Sequence, residues 1–154
     1  MTLSMKTIIK TDVHERMAAR EKQMQDLRPA HLAAAIGLRR WVDKNFKADG
    51  RLHENGRYHW KPLKASTIKQ RRKGKGKGKP QILRDTGRLS ADFIPTASKE
   101  KGKVVNKTPY AVYHEGGAPK AGLPQRKMFP TRAQGVKIVI PYYEGFLNRK
   151  VIEP

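Results

Sequence analysis

Apolar residues recur every third or fourth position in two stretches near the start of the chain, the period of helices with one buried face. Val13, Met17, Met24 and Leu27 form a thin first stripe, and Asp12 with Glu15 has the spacing of a capping box, which predicts a helix to about Leu27. Lys6–Lys10 ahead of it reads as a short strand or arm. Pro29 suits the first turn of a second helix, because the N–H that it lacks would be unpaired there. Leu32, Ala35, Leu38, Val42 and Phe46 give that helix an apolar face, Arg39, Arg40, Asp43 and Lys44 occupy other directions, and Asp49-Gly50 ends it.

Past Gly50 the helical period is lost. Leu52–Trp60 has no clear period, and Lys61-Pro62-Leu63 predicts an extended lead into a short helix. Gly74–Lys79 alternates glycine with lysine and buries nothing, so residues 70–80 are expected to form a flexible basic loop. Order resumes at Ile82–Leu89, with Thr86-Gly87 as a turn or helix start. Lys103–Lys107 and Val136–Ile140 are rich in β-branched residues and closed by Thr108-Pro109 and Pro141, which makes them the two best strands. Between them the glycines and prolines of residues 115–131 predict a long loop, of the kind that is functional or ordered by a neighbour. The fold class that follows is α+β. Residues 1–154 form one small mixed domain with an arm at 1–11, two N-terminal helices, a small antiparallel-rich sheet and long loops.

Composition narrows the partners. Hydrophobic residues are 37% of the chain and aromatics 7%, which limits the size of the core. The chain carries 34 Lys and Arg against 13 Asp and Glu, a formal charge of +21, and so favours nucleic acid, an acidic membrane surface or an acidic protein surface. No stretch reaches the roughly twenty apolar residues that span a bilayer, and Met1–Lys10 lacks the pattern of a signal peptide. A soluble protein made in the cytoplasm, without a membrane partner, is therefore expected. With no Cys there is neither a disulfide framework nor a cysteine zinc site. Nine basic residues and no acidic one lie between Lys61 and Lys79. Lys69, Arg71, Arg72, Lys73, Lys75, Lys77 and Lys79 are the candidates for contact with DNA or an acidic partner, through phosphate contacts that carry no sequence information.

Catalytic chemistry finds little support. His14, His31, His53, His59 and His114 have no metal-ligand spacing; His53 and His59 read as solvated loop histidines and His114 as one bonding the turn backbone. The carboxylates are scattered, and Ser4, Ser66, Ser90 and Ser98 sit in no nucleophile elbow. The glycine-lysine run lacks the ending of a phosphate loop. No enzyme, metal or cofactor is expected. Most aromatic residues should lie in the core, with Phe129 and Tyr142–Phe146 as candidates for contacts between subunits.

Four segments follow one another along the chain: Trp60-Lys61-Pro62-Leu63 with Thr67, Ile82-Leu83-Arg84-Asp85-Thr86-Gly87-Arg88-Leu89, Tyr110-Ala111-Val112-Tyr113-His114-Glu115-Gly116-Gly117, and Pro124-Gln125-Arg126-Lys127-Met128-Phe129. In order and rough spacing they resemble the phage virion-morphogenesis, or tail-completion, family of Mu-like and related tailed phages. Gly116 stands where that family more often has an aromatic residue, and Lys127-Met128 where it has a Pro-Phe pair. The family's usual ending is helical, whereas Val136–Ile140 reads as a strand. The resemblance implies a virion subunit at the head–tail junction (neck) or the top of the tail, joined with other copies in a ring. Its partners would be neighbouring neck, portal or connector and tail proteins, with genomic DNA in the lumen. Trp60, Leu63, Leu83, Thr86, Gly87, Leu89, Tyr110, Tyr113, His114, Gly117, Pro124, Arg126 and Phe129 would carry the motif and the assembly. The competing expectation is a non-specific nucleic-acid-binding protein of the ribosome- or nucleoid-associated type.

Overall fold

The second apolar stripe becomes the axis of the molecule in the computed structural model, which describes residues 15, 17–73 and 80–148. The arm at 1–11, the cap at Asp12, and Lys75, Lys77 and Lys79 lie outside the described residues. The elements in chain order are α1 (17–25), α2 (Arg28–Lys47), a 3-10 turn (Glu54–Gly56), α3 (Ala65–Lys73), α4 (Arg88–Ala91), β1 (Phe93–Ala97), β2 (Gly102–Asn106), α5 (Ala111–Gly116), a second 3-10 turn (Pro119–Ala121) and α6 (Arg132–Leu147). They make a small α+β domain.

Pro29 sits in the first turn of α2 as the sequence requires, and Lys44 and Lys47 in its last turn complement the helix dipole. The C-terminal half buries Val42, Asn45 and Phe46. In the N-terminal half the buried surface departs from the expected face in part: Ala35 is buried and Leu38 half-buried as expected, but Leu32 is exposed, and Ala30, Ala34 and Gly37 are buried as well. Helix α6 crosses there, and small side chains let the two backbones approach. A Cβ on Gly37 would lie 2.3 Å from the Tyr142 ring. Gly37→Ala is therefore expected to lower stability by about 1–2 kcal/mol, although alanine is intrinsically the better helix former by about 1 kcal/mol. A lower urea midpoint at unchanged slope is the readout.

Helix α6 corrects the largest error of the sequence reading, because Val136–Ile140 is helical and not a strand. Thr131 and Gln134 close a capping box at its start, and Gln134 also donates to the Leu52 carbonyl at 2.9 Å. Its half-buried residues, Ile138, Val139, Tyr142, Tyr143 and Phe146, repeat at helical spacing. Tyr143 bonds His31 through its hydroxyl at 2.6 Å. Packing along α2 thus overrides the β preference of the Val-Lys-Ile-Val-Ile run. The helix also accommodates Pro141, which is exposed. The strand expected at Lys103–Lys107 is present as β2, and its antiparallel partner is β1, pairing Phe93 with Asn106 and Ala97 with Gly102. Pro95 is tolerated in β1 because a two-stranded sheet has only edge strands.

Three further expectations are corrected. Met17 and Met24 of α1 do not pack inward: they are 64% and 61% exposed, while Gln23 donates to the Phe146 carbonyl at 2.6 Å and sets the helix against the end of α6. Residues 70–73, assigned to the flexible basic loop, are the last turn of α3. The long loop 115–131 opens on the end of α5 and contains the 3-10 turn at Pro119–Ala121. The core lies between α2, the sheet and these connecting segments: Val42, Phe46, Trp60, Leu83, Leu89, Phe93, Ala111 and Met128. Phe46 makes edge contacts with Trp60 (5.1 Å) and Phe93 (5.7 Å), and Phe93 continues the chain of rings to Phe129 at 5.4 Å.

Candidate interaction cleft

The extended residues 61–64 and α3 form one wall of an open cleft of roughly 760 Å³. Its floor is Leu83, Leu89 and the Asp85-Thr86-Gly87 turn, and the opposite wall is Tyr110 and His114 of the α5 region with residues 122–124 and Arg126. Local backbone chemistry holds this shape. Gly87, at φ 81°, caps the start of α4 in the left-handed region, and Leu83, at φ 57°, occupies the same region beside the Gln81–Arg84 bridge. That turn directs Leu83 into the core.

A polar knot behind the cleft ties its walls together. The Lys127 carbonyl accepts from Trp60 Nε1 at 2.9 Å, His53 Nε2 at 3.0 Å and Asn45 Nδ2 at 3.3 Å. His53 is 2% exposed, so it is a buried donor to backbone and not the solvated loop histidine expected. His59 is exposed, as expected. The Glu115 carboxylate receives the backbone N–H of Met128 (2.6 Å) and of Phe129 (3.3 Å), which pins the fourth motif segment to the third. Burial pushes the Glu115 carboxyl above its ordinary range, outweighing those two N–H donors, the Lys127 ammonium and His53, which act the other way.

Arg126 is 7% exposed and lines the cleft. Its backbone N–H donates to the His114 carbonyl at 2.7 Å and its Nη2 to the Lys61 carbonyl at 3.2 Å, yet its Nε has no partner among the described residues. His114 Nδ1 is likewise buried without a partner. The reading of His114 as a ring bonding the turn backbone is thus corrected, since it is the His114 carbonyl, not Nδ1, that engages the backbone. Burial lowers the pKa of His114, with Arg126 adding to the effect, and burial also works against the charge on Arg126, with Arg71 adding. Each unpaired buried polar atom costs about 1–3 kcal/mol. Lys61, Lys64 and Arg71 add positive charge to the walls, and Asp85, the acidic residue of the lining, is held by Arg71 at 3.5 Å.

The four motif segments, far apart in sequence, meet here. Leu63, Leu83, Thr86, Gly87, Leu89, Tyr110, His114, Pro124 and Arg126 line the cleft. Trp60 and Phe129 do not: Trp60 is a core residue, and Phe129 packs against the core beside Phe93. Gly117 sits at φ 78° after α5, where a Cβ would press within 3.0 Å of the Gln125 backbone. Tyr113 points outward at 57% exposure with its neighbour Val112 at 66%. In the aromatic stretch Tyr142–Phe146, the Tyr142 ring lies over Gly37, the Tyr143 hydroxyl bonds His31 and the Phe146 carbonyl accepts from Gln23. Of the basic candidates, Lys69 is exposed on α3, Arg71 turns toward the cleft and bonds the Gln81 carbonyl at 2.8 Å, and Arg72 and Lys73 belong to the last turn of α3. Asp85 and Glu115 stand inside the motif segments and Lys64 in the basic run, but neither they nor Leu123 were singled out as site residues from the sequence, because nothing in the linear pattern marks the cleft or the tie through Glu115.

Among the described residues no group of three His, Asp or Glu is placed to hold a metal ion, and no helix is long and apolar enough to cross a membrane. A model of the phage virion morphogenesis family matches residues 9–144. No curated protein and no solved structure matches the chain.

Proposed function

The chain belongs to the phage virion morphogenesis family, one of particle building rather than an enzyme class, and from that premise we propose that it is a ring-forming subunit at the head–tail junction or the top of the tail. It would complete the tail, join it to the head, or both. The observation that carries this reading is the surface of α5: Val112 and Tyr113 stand exposed beside a basic cleft built from the same motif segments. Apolar side chains next to a charged rim are what a subunit presents to its neighbours. The work is mechanical, with contacts between subunits in place of bond chemistry. Positive segments facing the lumen would meet DNA, and those facing outward an acidic neighbouring ring.

Electron microscopy of lysates from a phage lacking this gene tests the placement. Free DNA-filled heads and free tails are expected; normal intact virions would sink the reading. The +21 charge favours a second reading, direct non-specific binding of nucleic acid, whose sign would be stable complexes formed without phage particles. Replacing Lys73, Lys75, Lys77 and Lys79 together by Ser is expected to leave the fold intact and to weaken assembly or DNA affinity, with a shallower salt dependence of the latter. Unchanged behaviour in both assays removes these residues from the contact.

A further inference from the structure

We infer that the cleft is a docking groove for an extended acidic peptide, one carboxylate seated on Arg126 and His114 and flanking aliphatic side chains on the leucine floor. Arg126 is nine-tenths buried, fixed at one end by the Lys61 carbonyl, and lacks an acceptor at Nε. His114 Nδ1 also lacks a partner, and both residues line the cleft; neither atom is exposed, so the inferred docking includes a shift of the half-buried His114 ring. The two oxygens of a carboxylate can accept from the Arg126 guanidinium and from His114 Nδ1 where that nitrogen carries the proton, and the charge on the guanidinium makes its bond stronger than a neutral one. Lys61 and Lys64 at the rim add to the attraction.

The remaining walls select peptide over nucleic acid. Leu63, Leu83, Leu89 and Leu123 offer aliphatic contact, and Tyr110 is the one Phe, Tyr or Trp of the lining. Binding of single strands relies on successive aromatic platforms, and a duplex presents its phosphates on a convex rod that phosphate contacts track along its length. A cleft of this volume suits a few residues of extended chain. That the peptide belongs to a neighbouring virion protein rests on the function proposed above; the recognition itself does not.

The test is fluorescence anisotropy on the full chain with a labelled short peptide of alternating leucine and aspartate, its leucine–asparagine counterpart, and a labelled DNA duplex, at about 150 mM salt. Thr86→Glu places a negative charge at an exposed position of the lining, where the hydroxyl makes one long contact with the fold, accepting the Arg88 N–H at 3.4 Å. Arg126→Gln removes the proposed seat. Lys101→Glu, in the β1–β2 turn, removes as much charge as Arg126→Gln or more without touching the cleft. The aspartate peptide is expected to bind, to lose about tenfold or more in affinity with Thr86→Glu and with Arg126→Gln, and to change by less than about twofold with Lys101→Glu. Equal binding of the asparagine peptide, indifference to Thr86→Glu, or an equal loss with Lys101→Glu overturns the inference. Weakening of duplex binding by Thr86→Glu with no effect on the peptide would give the cleft to nucleic acid and overturn it too. Normal virions from the gene deletion would remove the ring while leaving the peptide affinity intact, so the two proposals fail separately.

Discussion

Trp60→Ala lowers the unfolding free energy by about 3–5 kcal/mol. The indole is buried against Phe46, and a Cβ on Gly50 would sit 2.3 Å from its ring, so no neighbouring side chain is placed to refill the space on that side. The same substitution removes the Nε1 donor to the Lys127 carbonyl. Trp60→Phe separates the two losses, keeping most of the volume and deleting the hydrogen bond, and should cost about 1–2 kcal/mol. Urea unfolding followed by far-UV circular dichroism measures both. A Trp60→Ala loss below that of Trp60→Phe would mean that the indole does not fill the core as described. Against a net stability of about 5–15 kcal/mol for a domain, the larger change would leave a substantial unfolded population in a chain with so modest a core.

Glu115→Ala is expected to cost roughly 2–4 kcal/mol, because it strands the backbone N–H groups of Met128 and Phe129 where the protein covers them. Glu115→Gln keeps one acceptor oxygen and should cost less. The pH dependence isolates the carboxyl. Its folded pKa is raised above 4.5 by burial, so the native state gives up this proton later than the unfolded chain does. Native stability therefore falls as pH climbs from 4.5 through the raised value, and is level above it. Glu115→Gln does not titrate, so the stability advantage of the wild type over this variant should shrink across that window. An advantage that instead grows with rising pH would show the two N–H donors, not burial, to dominate the site.

Much of the helical skeleton was legible because its signals are local. Pro29 and the Val42–Phe46 spacing announced α2, Lys61-Pro62-Leu63 announced α3, and Thr86-Gly87 announced the turn into α4. The error at Val136–Ile140 had a competing local signal, the Thr131–Gln134 capping box, but a five-residue β-branched run outweighs a cap when neighbours are unseen. Leu32 in the first half of α2 was misplaced, and Ala34 and Gly37 were missed, for a related reason. Leucines mark an apolar face by size, whereas a close helix crossing demands the opposite, small residues such as Ala34 and Gly37.

The sequence by itself determined the charge, the absence of cysteine chemistry, the α+β class and the four motif segments, since each depends on residue identity and near-neighbour order. Tertiary structure alone decided that those segments surround one cleft, that Arg126 and His114 both line it with a nitrogen unpaired, and that Glu115 caps the backbone thirteen and fourteen residues ahead. The physical reason is that burial and hydrogen-bond pairing are properties of the space between segments. A linear pattern fixes which groups a chain offers, and packing fixes which of them are left for a partner.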